Sequence, residues 1–389
     1  RYNENETSPI RAPLPASFPK NNAKTMNVER LNRILIDLKK TLSKEKTISL
    51  IQNVRDHLQN QVNYPNEPSY QTNLVNSLNE LYKSLETSAY NLYSPSWKEV
   101  INEISDEKNF GINLKEEIKS IFSENTITPA KALQDINNIF ENLSNFQNAI
   151  TETLNGFKVL NIEEEILEPG ECELGYTIPR KFIDNELSGL KKEISELHFI
   201  LNHISEAVNN EKEDFKVKTI SSSDFLLYIL ISLQVADVLS KATERILNHY
   251  KQILEIKALR NQLKEKGVPA AQTKGIETYA NGLMKDEIKS ITKEVIEEYY
   301  KGEKGRKNEL TNGLEIALNK LANRIDKGFN VEIRVEPLPA PDENEEDVDE
   351  NYAKRVEQIK SIQQTANKIE FLEHSGESIL QLPENSDSE

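Results

Sequence analysis

The apolar stretch FLLYILISLQVADVL, residues 225–239, restricts the folds open to this chain more than any other part of the sequence. Twelve of its fifteen residues are apolar, in a chain whose mean hydropathy is −0.62. Four residues that favour helix N-caps, SSSD, precede it at 221–224. The stretch therefore predicts the first half of a long central helix over residues 224–263.

The same stretch is too short and too polar at one point for a resident membrane span. As a helix rising about 1.5 Å per residue it covers roughly 22 Å, against a hydrocarbon core of about 30 Å. Asp237 lies inside it, and a carboxylate at the centre of a bilayer costs roughly 2.5–3.5 kcal/mol. We therefore expect Leu227, Ile231 and Val235 to lie in a protein core.

Helical spacing of apolar residues dominates the first part of the chain. Residues 1–24 contain four prolines and predict an extended, Pro-rich lead-in. Apolar residues three and four apart then continue through residue 160, and Pro95 and Pro129 each follow a residue suited to cap a helix. Residues 25–160 are therefore predicted to form an all-helical domain.

Alternation of apolar and polar residues predicts strands in the second part. They fall near residues 172–178, 215–220 and 329–336. With the helices between them, they predict an α+β domain over residues 161–337 with a small, about three-stranded sheet. We expect the second and third of these strands to be neighbours, because Lys216 and Lys218 would then lie opposite Glu332 and Glu336. The fold class is thus mainly α, an N-terminal helical bundle followed by an α+β domain.

The C-terminal residues carry most of the negative charge. The chain has a formal net charge of −16, and residues 340–389 contain 14 acidic and 4 basic residues. We expect an acidic linker at 338–351, an amphipathic helix at 352–373 and a polar tail at 374–389. Nucleic acid is not expected as a partner, because phosphate binding requires a clustered basic surface and the sequence shows none.

No combination of residues in the sequence predicts a catalytic, cofactor-binding or metal site. His198 and His203 are five residues apart, which places them about 140° apart around a helix. Cys172 is the single cysteine, and the flanking Glu171 and Glu173 disfavour its thiolate. We therefore expect an inert thiol, no cofactor and no metal.

These features favour a non-enzymatic scaffold or macromolecular interaction protein, a cytoplasmic component of bacterial type with a protein as its partner. One face of the C-terminal amphipathic helix is the predicted partner-binding surface, formed by Tyr352, Val356, Ile359, Ile369 and Leu372. The structural alternative is that this helix packs on its own domain. The first alternative function is a membrane-acting effector that releases the 225–239 helix, and the second is an enzyme without a local motif. The sequence indicates no oligomeric state.

Overall fold

A computed structural model describes residues 27–105, 109–221, 225–339, 350–372 and 378–385. Within this part of the chain the protein is mainly helical, with eleven α-helices and one four-stranded antiparallel sheet. The lead-in predicted at residues 1–24 lies outside the described residues, as do residues 340–349 of the predicted acidic linker.

The first six helices make up what we call the helical part. They are α1 (Val28–Lys44), α2 (Thr47–Asn63), α3 (Pro68–Glu86), α4 (Pro95–Ile104), α5 (Gly111–Glu124) and α6 (Pro129–Val159). Helices α3, α4 and α6 begin with proline, whose missing N–H has no partner to lose at that position. The apolar faces of the six helices share one hydrophobic core.

The rest of the described chain, which we call the mixed part, builds a second core around the sheet. Its strands are β1 (Cys172–Ile178), β2 (Lys216–Ile220), β3 (Phe225–Ile231) and β4 (Asn330–Val335), and its helices are α7 (Leu187–Asn209), α8 (Leu233–Glu265), α9 (Ala270–Glu298), α10 (Lys304–Asp326) and α11 (Glu350–Ala366). The strand order is β2-β3-β1-β4, with every neighbouring pair antiparallel. One sheet face and these helices enclose the core.

The apolar stretch at 225–239 is not a single helix, and that prediction is wrong. Its first seven residues form β3, which lies between β1 and β2. Ser232 then caps α8, its side chain accepting a hydrogen bond from the backbone N–H of Val235 at 3.4 Å. Both faces of β3 carry apolar residues, so the strand lacks the alternation that identifies a half-exposed strand. The expected burial is confirmed, since Leu227, Ile231 and Val235 expose 3, 7 and 0% of their surface.

The predicted pairing of β2 with β4 is also wrong, because these strands lie at opposite edges of the sheet. Lys218 donates instead to the carbonyl of Ile166 at 2.5 Å. Glu332 is turned towards the helical part and is buried. The unrecognised strand β3 is the reason for the error, because it pairs with β2 in place of β4.

The second face of the sheet packs on the helical part through buried charged residues. Arg30 of α1 donates to both carboxylate oxygens of Glu173 on β1, at 3.1 and 2.9 Å, and to both oxygens of Glu165, at 2.9 and 2.7 Å. Its guanidinium carbon lies 3.3 Å from the ring centroid of Tyr228 on β3. Burial opposes the charge on Glu173, but Arg334 and Arg30 outweigh it and lower the pKa of that carboxyl.

Glu332 of β4 makes a second polar contact across the same face. Its carboxylate accepts hydrogen bonds from the backbone N–H of Ser96 at 3.0 Å and from the Ser96 hydroxyl at 2.6 Å. Burial raises the pKa of Glu332, and the Ser96 hydrogen bonds offset part of that rise. Gly175 on β1 makes room for the carboxylate, since a Cβ there would lie 2.6 Å from Glu332 Cγ. The strand glycine is therefore explained by close approach of a carboxyl side chain.

Candidate peptide-binding groove

Residues 378–385 form a segment without helix or strand that lies against α9 and α10. Ile379, Leu380 and Leu382 expose only 2, 3 and 5% of their surface and belong to the core of the mixed part. The prediction of a polar tail at 374–389 is therefore wrong for this segment, which we call the docked tail. Residues 373–377 and 386–389 lie outside the described residues.

Side chains of α9 and α10 accept hydrogen bonds from four consecutive backbone N–H groups of the docked tail. The pairs and their N···O distances are Ile379–Asp326 (2.6 Å), Leu380–Asp326 (2.7 Å), Gln381–Asn281 (2.7 Å) and Leu382–Asn323 (3.0 Å). A buried backbone donor without a partner costs free energy, so these side chains make burial of the segment possible.

Three backbone carbonyls of the docked tail accept hydrogen bonds from side-chain amides of α9 and α10. The pairs are Ile379–Asn281 (3.3 Å), Leu382–Asn323 (3.0 Å) and Pro383–Asn319 (2.9 Å). Asn281 and Asn323 therefore both accept and donate. Asn319 only donates, and its Oδ1 atom is buried with no hydrogen-bond partner among the described residues.

Asp326 is held in place from the opposite side by α8. The hydroxyl of Tyr250 donates to Asp326 Oδ1 at 2.7 Å, and Lys257 Nζ lies 3.5 Å from the same oxygen. Burial raises the pKa of Tyr250, and the Asp326 carboxylate raises it further, so the hydroxyl remains a donor. One oxygen of Asp326 is thus fixed by α8 and leaves the other directed at the docked tail.

A carboxylate of the docked tail meets two cations at one end of α10. Glu384 accepts a hydrogen bond from Asn323 Nδ2 at 2.9 Å and lies 3.5 Å from Arg324 and 3.7 Å from Lys320. Partial burial opposes its ionisation, but Asn323 and the two cations outweigh it and lower the pKa of Glu384. Arg324 is itself anchored by Glu193 of α7 at 2.8 Å. Lys320 lies 2.7 Å from Glu196, also on α7, so both cations have fixed positions.

The predicted partner-binding residues lie on α11 and just beyond it. Ile359 and Ile369 are buried in the core of the same chain, and Tyr352, Val356 and Leu372 are partly buried. Helix α11 packs against α8 and β4. This face is covered by the chain itself, the arrangement that the sequence left as the alternative, so a partner would have to displace α11 to reach it.

Cys172 and His203, considered from the sequence as possible site residues, make structural contacts. Cys172 is buried at the start of β1, where burial, with a smaller effect of Glu171, raises the pKa of its thiol to about 12. His203 Nδ1 lies 2.8 Å from the carbonyl oxygen of Phe199. Within the described ranges, no group of three or more His, Cys, Asp and Glu side chains is arranged to hold a metal ion.

A cleft between α8 and α9, lined in part by Arg245 and Tyr299, has a volume of about 50 Å³. Sites for small organic ligands span roughly 300–1,000 Å³, so this cleft has room for little more than water. The buried carboxylates Glu173 and Glu332 do not line it. None of the described helices combines the length and the apolarity needed to cross a membrane.

Local patterns in the sequence do not predict the groove. Asn319, Asn323 and Asp326 are spaced four and three residues apart, which places them on one face of α10. Such a polar stripe normally marks a solvated face. The apolar residues that cover it lie more than fifty positions further along the chain, and no local rule connects the two.

Fold and site together define the class: a mainly helical protein with a four-stranded antiparallel sheet, whose docked tail is bound along its backbone by side chains of two helices. Comparison of the chain with models of protein families, with curated proteins and with solved structures finds no match in any of the three.

Proposed function

We propose that this protein is a non-enzymatic interaction module that binds a linear segment of a protein partner between α9 and α10. The docked tail occupies that groove in cis. The groove is formed by Asn281, Asn319, Lys320, Asn323, Arg324 and Asp326. The observation that carries the proposal is that side chains of the groove accept every backbone N–H from residue 379 to residue 382.

Recognition of this kind differs from ordinary packing of a chain terminus. Backbone groups are usually satisfied by neighbouring backbone or by water. Here side-chain amides and a carboxylate satisfy them, so the groove binds the main chain whatever side chains the segment carries. Selectivity then rests on the apolar positions 379, 380 and 382 and on the carboxylate at 384.

The energy terms permit exchange of one segment for another. Burying an aliphatic side chain contributes roughly 1.5–3 kcal/mol. Ordering the backbone of each residue costs roughly 1–2 kcal/mol. For three buried side chains in a short segment these terms are of the same size, so the hydrogen bonds decide whether the tail stays docked. Because the net free energy that holds the tail is small, a competing segment can replace it.

The same geometry disfavours the membrane-acting alternative. That function requires residues 225–239 to leave the core as one helix, but β3 occupies the first seven of them. Releasing β3 would break its ladders with both β1 and β2. We therefore favour peptide binding over membrane insertion.

The two cores also support the proposed division into an all-helical domain at 25–160 and an α+β domain at 161–337. The docked tail adds its apolar side chains to the second core. The groove and its occupant therefore belong to one domain in this proposal.

A cleavage experiment tests the proposed function. A protease site is inserted between Leu372 and Ser378 of the full chain, the protein is folded and then cut, and a fluorescent peptide of residues 378–389 is added. We expect saturable binding by fluorescence anisotropy as the labelled peptide exchanges with the cut tail. A peptide carrying Leu382→Asp is the control and should not compete. Loss of the tail without rebinding, while circular dichroism shows the rest folded, would contradict the proposal.

A further inference from the structure

Asn323 and Asn319 lie one helical turn apart on α10 and bind neighbouring residues of the docked tail, yet they are not equally satisfied. Asn323 accepts from the N–H of Leu382 and donates to its carbonyl, each at 3.0 Å. Asn319 donates to the carbonyl of Pro383 at 2.9 Å. Its Oδ1 atom is buried without a hydrogen-bond partner among the described residues.

Proline explains the difference. The Pro383 carbonyl can only accept, so Asn319 must turn its Nδ2 towards the tail and cannot exchange the two ends of its amide. The matching bond to Oδ1 would come from the backbone N–H of residue 383, and proline has none. Asn319 exposes only 2% of its surface, so water does not readily replace the missing donor.

We infer that the docked tail binds its own groove less tightly than the preferred ligand does. The preferred ligand carries a residue with a free N–H where the tail carries Pro383. This inference rests on the proposed function and names the chemistry of the partner. The preferred segment has apolar residues at the positions of Ile379, Leu380 and Leu382, a non-proline residue next, and then an acidic residue.

The acidic position follows from the groove's fixed cations. Lys320 and Arg324 lie 3.7 and 3.5 Å from the Glu384 carboxylate and expose only 8 and 3% of their side chains. A partner without an acidic group there would leave them with fewer counter-charges. The partner is thus a linear segment with an acidic residue at that position, and it outcompetes the tail by one hydrogen bond and thereby releases it.

Peptides that differ in a single N–H test the inference. Three 378–389 peptides carry proline, alanine or N-methylalanine at position 383, and each displaces the labelled tail peptide from the cut protein. We expect alanine to bind about two- to twelvefold more tightly than N-methylalanine, the range that one net hydrogen bond supplies. N-methylalanine is the matched control, because it keeps the alanine side chain but has N–CH₃ in place of N–H, a tertiary amide like that of proline. Equal affinities would overturn the inference.

A protein variant tests whether the Oδ1 atom of Asn319 causes the difference in peptide affinity. In Asn319→Ala the preference for alanine over N-methylalanine should vanish, whereas Asn312→Ala, an exposed position on the same helix, should keep it. A preference that persists in Asn319→Ala would also overturn the inference. If Asn319→Ala does not fold, the comparison of the two peptides on the unsubstituted protein decides alone.

A measurement on the uncut chain does not require a separate peptide to bind. Pro383→Ala should slow hydrogen exchange at the Leu382 amide by severalfold, less than the peptide effect because alanine also frees the undocked backbone. If no peptide binds the cut protein yet Pro383→Ala still slows exchange, the proposed function fails and the hydrogen bond stands. If peptides bind but do not distinguish N–H from N–CH₃, only the inference fails.

Discussion

Asn323 binds Leu382 with both polar atoms of its side chain, its Oδ1 accepting the backbone N–H and its Nδ2 donating to the carbonyl, each at 3.0 Å. A helix side chain here does what a neighbouring strand does in a sheet. Asn323 exposes only 4% of its surface, so the pair lies where water contributes little. An empty groove would leave these amide atoms unpaired until water or another segment reached them.

The Asn323→Ala substitution tests this pair. It leaves both backbone groups of Leu382 buried without their partner, so we expect the free energy of unfolding to fall by about 1–3 kcal/mol. Asn312→Ala, at an exposed position on α10, is the matched control and should change stability by less than about 0.5 kcal/mol. Urea denaturation followed by circular dichroism measures both. Equal effects of the two variants would show that the pair adds nothing.

Arg30 links the helical part to the sheet, and its loss should be costly. In Arg30→Ala the carboxylates of Glu165 and Glu173 lose their shared partner while they stay buried, which predicts a loss of roughly 3–5 kcal/mol. Arg306→Ala removes an arginine whose ion pairs lie at the surface, and it should cost far less. Thermal and urea unfolding compare the two. A loss of stability at Arg30 no larger than at Arg306 would contradict the role of Arg30 in linking the helical part to the sheet.

The raised pKa of Glu332 predicts that the folded state loses stability as the pH rises. Its pKa is raised in the folded chain, mainly by burial. As the pH rises past the ordinary carboxyl pKa, the unfolded chain therefore releases this proton while the folded chain still holds it. The folded state then binds more protons, and its stability falls from that pH up to the raised pKa. Glu332→Gln removes this decline. The difference in unfolding free energy between the two proteins, measured across this pH window, tests the effect.

Ser96 provides the second arm of the pH experiment. Its hydroxyl lowers the pKa of Glu332 from the value that burial alone would give. Ser96→Ala should therefore extend the decline in stability to higher pH. Parallel pH profiles for the unsubstituted protein, Glu332→Gln and Ser96→Ala would mean that Glu332 does not titrate differently in the folded chain.

Cys172 should be unreactive until the protein opens. Burial raises the pKa of its thiol to about 12, which makes the thiolate fraction at neutral pH roughly a thousandfold lower than in an unfolded chain. A disulfide reagent such as dithionitrobenzoate should label the native protein only at its opening rate and the denatured protein at once. Rapid labelling of the native state would place the thiol at an accessible surface.

The elements that the sequence predicts well are those with a clear period. Leu174 and Val331 belong to strands that alternate, and β1 and β4 lie where that alternation indicates. The strand β3 is missed because both of its faces carry apolar residues. Tyr228 lies beneath Arg30 on one face, and Leu227 enters the core on the other, which makes the run as continuously apolar as a buried helix.

The groove is harder to predict for a different reason. Asn281 and Gln381 are one hundred positions apart, and they meet only because α9, α10 and the docked tail assemble in one core. Each is an ordinary polar residue in its own stretch of sequence. The sequence predicts a polar tail at 374–389, where Ile379, Leu380 and Leu382 are the only large aliphatic side chains and form no helical or strand pattern.

Native-state hydrogen exchange of the unsubstituted chain tests the central claim most directly. If the tail is a ligand of its own groove, the amides of Ile379, Leu380, Gln381 and Leu382 share one opening reaction that costs less free energy than global unfolding and responds little to dilute denaturant. The Leu174 amide in the central strand β1 should exchange only on global unfolding. Exchange of the tail amides with the same free energy as Leu174 would show that the tail is an inseparable part of the core and would contradict the account.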